Sequence, residues 1–310
     1  MIQVSIIIVN YNTCDLLKNC INSIYEKTSD VDFEIIVVDN YSTDNSVQMI
    51  KDNFSDIVLI QNKENLGFGA ANNIGLKHAK GKYIFYLNSD VILLNNSVEY
   101  FYDYWENNKN SNIGSLGSIL LDNKLMPIHS FGNFSSFTDN IKDVVKLNII
   151  NTVLSFLYIF HISSNTIRKY KKVHIDVPVF DNEKQVDFIT GADLFMLNNN
   201  DALFDEDFCL YFEDTELQYR LKNKNLKRLI IKGPEIIHLC GGSVDSNYSI
   251  KRKCTFSRIQ YELSRIIWIK KRYNNNFFLK SIMKIFIIIN WINPILFSKT
   301  KYYLKKLISI

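Results

Sequence analysis

The feature that most narrows what this chain can fold into is the run Tyr83-Ile84-Phe85-Tyr86-Leu87, which stops abruptly at Asn88-Ser89-Asp90. Aromatic and branched apolar residues in sequence, with no alternation, predict a strand buried on both faces. Such strands belong to open, mostly parallel α/β sheets, whose ligands bind outside the carboxyl ends of the strands. Asp90 stands at that edge. A hard divalent cation carrying phosphates takes one or two carboxylate oxygens there and fills its shell with water. The plainer alternative is that Asp90 caps a helix that follows.

The preceding residues repeat the pattern. Residues 4–9 read as a buried strand that opens into Asn10-Tyr11-Asn12-Thr13, and Leu16, Leu17, Cys20, Ile21 and Ile24 mark a helix over 15–26. A second strand, 33–38, ends in Asp39-Asn40-Tyr41-Ser42-Thr43-Asp44, where Thr43 or Asp44 can cap the next helix. Strand, helix, strand, helix is the βαβ order of a parallel sheet. A third strand, 57–60, leads into Asn65-Leu66-Gly67-Phe68-Gly69 and on to Asn72 and Gly75. Asn72 stands where a dinucleotide fingerprint needs its third glycine, so that motif is excluded. Two readings of the loop stay open: a helix start that approaches a phosphorylated ligand, and a tight turn that needs small residues.

Beyond Asp90 the pattern gives a helix near 97–107, a hairpin around 113–126 and an apolar stretch at 144–162, a buried or interfacial helix interrupted by Lys146. Arg168-Lys169-Tyr170-Lys171-Lys172 suits either anionic head groups or plain solvent. Further on, Glu213-Asp214-Thr215-Glu216 opens a helix on which Glu216 and Arg220 are spaced to pair. Adjacent Glu213 and Asp214 cannot share a helix face, so one can be structural while the other points into a cleft. Residues 227–238 form one or two strands ending in His238, followed by Cys240, Gly241 and Gly242.

Charge divides the chain. Residues 1–249 carry 22 Lys and Arg against 31 acids, whereas 250–310 carry 14 against Glu262 alone. An acidic body with a basic, apolar tail suits an anionic surface. Interleaved Ile285, Ile289, Trp291 and Phe297 favour lipid over nucleic acid. Lys280 and Lys284 stand one turn apart amid Phe278, Ile282, Ile285, Phe286 and Ile289, the makings of a helix lying on a bilayer. The competing expectation is that this helix packs on the catalytic domain as core. Five cysteines without a C-x-x-C spacing suggest neither a disulfide framework nor a zinc site. No signal peptide is expected before residue 4.

Together Val9-Asn10-Tyr11-Asn12, Val37-Val38-Asp39-Asn40 with Ser42 and Asp44, Asn65 to Gly75, Leu87-Asn88-Ser89-Asp90, Glu213-Asp214 and His238 resemble, in order and spacing, the inverting family 2 glycosyltransferases, especially the bacterial rhamnosyltransferase-like branch. The resemblance implies an α/β GT-A fold: a mostly parallel central sheet flanked by helices over 1–249, with C-terminal amphipathic helices over 250–310. Within the body, 1–110 would be the nucleotide-sugar-binding half and 111–249 the acceptor side. It further implies donor binding by Val9, Tyr11, Asp39, Asn65, Gly67, Asn88 and Ser89, with Tyr11 on the pyrimidine and Asp39 accepting its imide N–H. Asp90 and His238 would hold Mg²⁺ or Mn²⁺, and Asp214 would be the general base. Two departures stand out: the D-x-D pattern reads Asn88-Ser89-Asp90, losing a carboxylate, and ED-x-D ends in Glu216.

The resulting expectation is an enzyme peripheral to the cytoplasmic face of the cell membrane. It would move L-rhamnose from dTDP-L-rhamnose to a lipid-linked oligosaccharide in O-antigen or capsule synthesis. A UDP-hexose or UDP-N-acetylhexosamine donor is the alternative within the class, and an inactive membrane-bound assembly scaffold is the alternative outside it.

Overall fold

The computed structural model describes residues 1–159, 180–239, 256–292 and 297–310; the 168–172 cluster, Cys240, Gly241, Gly242 and Cys254 lie outside them. The described residues form two compact units, one of 1–134, 180–206 and 213–239, the other of 135–159, 207–212, 256–292 and 297–310.

The first unit is built on an eight-stranded sheet. Strands β1 (Val4–Asn10), β2 (Phe33–Asp39), β3 (Val58–Gln61) and β4 (Tyr83–Asn88) run parallel in the order β3-β2-β1-β4. Helices α1 (Cys14–Lys27), α2 (Ser46–Asn53) and α3 (Phe68–His78) connect them. Every residue of β4 up to Leu87 is buried, because both faces are covered. On one face Phe85 and Leu87 join Ile6, Ile8, Leu17, Cys20 and Ile21, together with Phe101 and Trp105 of α4 (Ser97–Asn107). On the other, Ile84 and Tyr86 join Ile7 and Ala71. Helix α3 comes close to the sheet at Gly75, where a Cβ would lie 2.5 Å from Ile7 Cγ2.

Beyond β4 the sheet changes sense. Strand β11 (Asp193–Leu197) pairs antiparallel with β4 and with β6 (Ile113–Gly117), and β12 (Lys227–Ile231) and β9 (Glu183–Gln185) complete the far edge. Helix α6 (Glu213–Asn223) packs Leu217 and Leu221 on the Tyr86 face.

Asp90 caps no helix: strand β5 (Val91–Leu93) follows it, because Val91 and Leu93 are buried and β5 pairs with β13 (Ile236–His238). The hairpin expected at 113–126 forms only later in the chain, where Leu121 bridges Pro127 antiparallel and Ile128 N donates to Leu120 O; β6 takes no part in it. Strand β6 stays in the large sheet while β7 (Leu120–Leu121) joins β5 and β13 in a three-stranded sheet. The chain leaves the large sheet at Ser118, whose backbone N–H and hydroxyl both donate to Asp193 Oδ2 at 2.7 Å. A third, two-stranded sheet pairs β8 (Phe131–Gly132) with β10 (Phe188–Ile189).

The second unit is helical. A division at residue 249 separates α5 (Phe137–Ile159) from the C-terminal helices, yet α5 groups with α7 (Phe256–Arg272), α8 (Phe277–Trp291) and α9 (Phe297–Ser309). Val144 of α5 is buried with Ile259, Ile266, Met283, Ile287, Trp291 and Leu307, and removing such side chains from water contributes about 1.5–3 kcal/mol each. One face of α8 is therefore core, and that core belongs to the helical unit, where the competing expectation had set it on the catalytic domain.

Candidate active site

The carboxyl ends of β1, β2 and β4 are tied together by side chains. Asn10 Nδ2 donates to Asp39 Oδ1 at 2.9 Å and to Ser42 Oγ at 3.0 Å, and Ser42 N donates to Asp39 Oδ2 at 2.9 Å. Thr13 Oγ1 donates to Asn10 Oδ1 at 2.6 Å and lies 2.9 Å from Ser89 Oγ. Asn10, Thr13, Asp39 and Ser89 are buried and Ser42 is half-buried, so these groups satisfy one another. It brings Asp39 and Ser89 into one rigid edge. Val9 lies in register with Val38 and Asn88 across that edge. Tyr11 follows on an exposed turn, 46% accessible, its ring open to solvent.

The 65–67 loop joins the same edge through Asn40. Asn40 Nδ2 donates to Asn65 Oδ1 and to Gly67 O, and Asn40 Oδ1 accepts from Leu66 N and Asn62 Nδ2. Gly67 has φ +87°, a conformation other residues rarely adopt, and it stands immediately before α3. Asn65 thus builds the loop, its Oδ1 also accepting from Gly67 N. Asp44 does similar work at two helix starts, accepting from Cys14 N and from Ser46 N and Oγ. Burial raises its pKa, but those bonds outweigh it and hold the carboxyl below its ordinary value.

On the other side of β4, Asp90 Oδ1 lies 3.1 Å from His238 Nε2, and Asn88 Nδ2 lies 3.4 Å from the same nitrogen. The β5–β13 register sets Val91 opposite His238, and Leu239 N donates to Asp90 O, which fixes the approach. Among the described residues no group of three or more His, Cys, Asp or Glu could hold a metal alone. One carboxylate and one imidazole fit a hard cation that takes its remaining ligands from phosphate and water.

Asp214 stands across the edge. Gly191 N donates to its Oδ2 at 3.0 Å, Thr215 N donates to its Oδ1, and Asn88 N donates to Ala192 O, so the loop that holds Asp214 abuts the end of β4. Burial raises the Asp214 pKa above its ordinary value, against the pull of those bonds and of nearby His129. Glu213 is 6% exposed with Oε2 unpartnered, and burial together with the neighbouring Asp214 pushes its carboxyl well up. The backbone is strained just before this pair: Tyr211 and Phe212 adopt φ of +69° and +68°. Left-handed non-glycine residues of this kind cost of order 1–3 kcal/mol each and gather at functional sites.

All ten expected site residues therefore lie in the first unit, along the carboxyl edge of β1, β2 and β4 or on loops bonded to it. Two further groups were not expected. His129 comes within electrostatic range of Asp214 because β8 and β10 pair with Phe131 opposite Ile189, and Thr190 N donates to Ser130 O, so residue 129 falls opposite Gly191. No sequence signal marks it. Asp193 is fully buried, with Oδ1 unpartnered, and burial lifts its pKa to about 7. An acid opening the apolar run Leu194-Phe195-Met196 could have flagged it.

The profile described as Glycosyl transferase family 2 matches residues 5–166. The poly(ribitol-phosphate) β-glucosyltransferase of Bacillus spizizenii is 34% identical over 123 residues, covering 38% of this chain and 19% of that protein. The poly(ribitol-phosphate) β-N-acetylglucosaminyltransferase TarP of Staphylococcus aureus is 34% identical over 122 residues, covering 38% and 37%. The chain thus spans well under half the length of either relative. Among solved structures, the mannosyltransferase PcManGT of Pyrobaculum calidifontis, in complex with GDP-Man and Mn²⁺, aligns with TM-score 0.52 at 14% identity over 99% of this chain and 75% of that one. GalNAc-T7 with UDP, GalNAc and Mn²⁺ aligns with TM-score 0.54 at 14% identity over 77% and 44%. Both likenesses are of fold, and the fold is GT-A.

Proposed function

The chain belongs to glycosyl transferase family 2, and from that membership we propose that it transfers a sugar from a nucleoside-diphosphate donor to a hydroxyl of a bacterial cell-surface polymer, inverting the anomeric carbon. The observation that supports this most is the convergence on one strand edge of Asp39, the Asp90–His238 pair and Asp214.

In this proposal Tyr11 packs on the pyrimidine, and Asp39 accepts the imide N–H through lone pairs left over from Asn10 and Ser42. Val9, Asn65, Gly67, Asn88 and Ser89 shape the walls around the nucleotide and sugar. Asp90 and His238 would hold Mg²⁺ or Mn²⁺, which supplies positive charge for the departing diphosphate. Asp214 takes the proton of the acceptor hydroxyl as that oxygen bonds to the anomeric carbon; the bond from that carbon to the diphosphate oxygen breaks on the opposite face. The nucleoside diphosphate leaves with the electron pair.

The two curated relatives transfer glucose and N-acetylglucosamine to poly(ribitol-phosphate), which favours a hexose or N-acetylhexosamine donor over dTDP-L-rhamnose and extends the acceptor class from lipid-linked oligosaccharide to polyol phosphate. No helix of the described residues is long and apolar enough to cross a membrane, and we place the enzyme peripherally on the inner face. The test is release of UDP or dTDP from a panel of nucleotide sugars, with poly(ribitol phosphate) or a lipid-linked glycan as acceptor. Acceptor-dependent release from one donor is expected. Absence of release with every donor and acceptor would leave the inactive scaffold in its place.

A further inference from the structure

Tyr41 stands in a backbone conformation that its residue type resists. Its φ is +72°, in the left-handed region where the Cβ of a bulky residue crowds its own backbone and where glycine, asparagine or aspartate is the usual occupant. The residues on either side hold it there. The Asn40 side chain is bonded to Asn62, Asn65, Leu66 and Gly67, while Ser42 N donates to Asp39 Oδ2 and Ser42 Oγ accepts from Asn10 Nδ2 and Asn12 N. The Tyr41 ring takes no part: it has no hydrogen bond and no ring partner among the described residues, and Tyr41 is 54% exposed. Packing therefore gives no reason for a tyrosine here, and strain of this kind gathers at functional sites.

The place of Tyr41 says which ligand its ring would meet. Asn10 and Asp39 are the last register partners of β1 and β2, so the turns that follow leave the sheet level with each other. These turns are cross-bonded around both tyrosines: Asn40 N donates to Asn10 O at 2.7 Å, Asn12 N to Ser42 Oγ at 3.0 Å and Thr43 N to Asn12 Oδ1 at 2.7 Å. Tyr11 and Tyr41 are thus the central residues of paired turns, both exposed, and the Asp39 carboxylate is bonded at the root of both. Strand β1 stands between β2 and β4, so the turn after β2 starts two strand spacings, about 10 Å, from the β4 end that the Asp214 loop abuts. Tyr41 therefore belongs to the donor's side of the edge. Two exposed aromatic rings on turns rooted at an acceptor-only carboxylate match a flat heterocycle that carries an N–H on its rim.

We propose that Tyr41 is a nucleobase-binding residue, its ring covering the face of the donor's pyrimidine opposite the one that packs on Tyr11. The proposal rests on the nucleotide-sugar reading of the site and adds a residue which that reading leaves unused.

Calorimetric titration of the full chain with UDP and with dTDP, in the presence of Mn²⁺, tests it on wild type, Tyr41→Asn, Tyr41→Phe and Tyr11→Ala. Asparagine adopts the left-handed backbone readily and lacks the ring. Tyr41→Asn should therefore melt no lower than wild type while binding the nucleotide about tenfold more weakly, the scale of one base–aromatic stack. Tyr41→Phe should keep wild-type affinity. The matching nucleoside monophosphate should lose the same factor as the diphosphate in Tyr41→Asn, because the base is common to both. Wild-type affinity in Tyr41→Asn, an equal loss in Tyr41→Phe, a loss confined to the diphosphate, or a melting temperature lowered along with the affinity would each overturn the proposal. In those cases weaker binding by Tyr11→Ala would leave the nucleotide reading standing. A wild type that binds neither nucleotide would overturn both.

Discussion

Both units bury carboxylates, and they treat them in opposite ways. In the helical unit Glu262 is 1% exposed and saturated: Oε1 accepts from Arg258 Nε and Asn290 Nδ2, and Oε2 accepts from Trp291 Nε1. Burial raises its pKa, yet every donor around it favours the charged form. In the sheet unit Glu213 Oε2 and Asp193 Oδ1 have no partner, although each unsatisfied buried group costs about 1–3 kcal/mol. A saturated buried acid holds helices together. The unsatisfied oxygens leave burial to drive Glu213 and Asp193 toward the neutral form, so the two units differ in how they keep an acid out of water.

That contrast can be broken or sharpened by substitution. The largest stability effect belongs to Glu262→Ala, which should cost about 3–5 kcal/mol, because Arg258, Asn290 and Trp291 lose their acceptor in a dry interior. A urea titration followed by circular dichroism measures it; a cost below 1 kcal/mol would remove the structural half of the comparison. Asp90→Ala should slow turnover on the order of 10²-fold, about 2.7 kcal/mol, and chelation of divalent ions should act alike on the wild type. Full turnover in excess chelator would detach Asp90 and His238 from metal.

Asp193→Asn should move stability the other way. A carboxyl held protonated up to about 7 in the fold, against an ordinary 3.8, binds more protons folded than unfolded between those values. Wild-type stability therefore falls as pH rises across that window, and the variant should lose this dependence. At pH 8 it should be the more stable protein by on the order of 2 kcal/mol. Parallel stability–pH curves for the two would contradict the burial argument. The smallest effect is expected at Arg220→Gln, about 1 kcal/mol, because Arg220 is itself a third exposed but bonds the buried Glu216 carboxylate and Leu203 O.

How much of this was legible in the sequence depended on how local the cause was. Strand β4 was readable because both of its faces are buried, and the Glu216–Arg220 pair because helical spacing alone sets it. The hairpin expected at 113–126 was set too early, because the chain leaves the large sheet at Ser118, held by Asp193 75 residues away, and turns back only beyond Leu120. Helix α5 was assigned to the wrong unit because apolar composition says that a helix is buried without saying against what. The motif singled out Asp214 but not its surroundings: Gly191 N bonds it, and His129 falls opposite Gly191 through the β8–β10 register, which only the folded chain supplies.

The central claim is that Asp214 acts on the acceptor and not on the nucleotide. The most direct test is to compare Asp214→Asn with wild type for donor affinity, by calorimetry, and for turnover across pH. Donor affinity should stay within about twofold while turnover falls by about 10²-fold or more. The wild-type turnover should decline as pH falls through an acid limb lying above the ordinary aspartate value of 3.8, since burial raises the Asp214 pKa and a protonated base is idle. Loss of donor affinity equal to the loss of turnover, or an acid limb at or below the ordinary aspartate value, would contradict it.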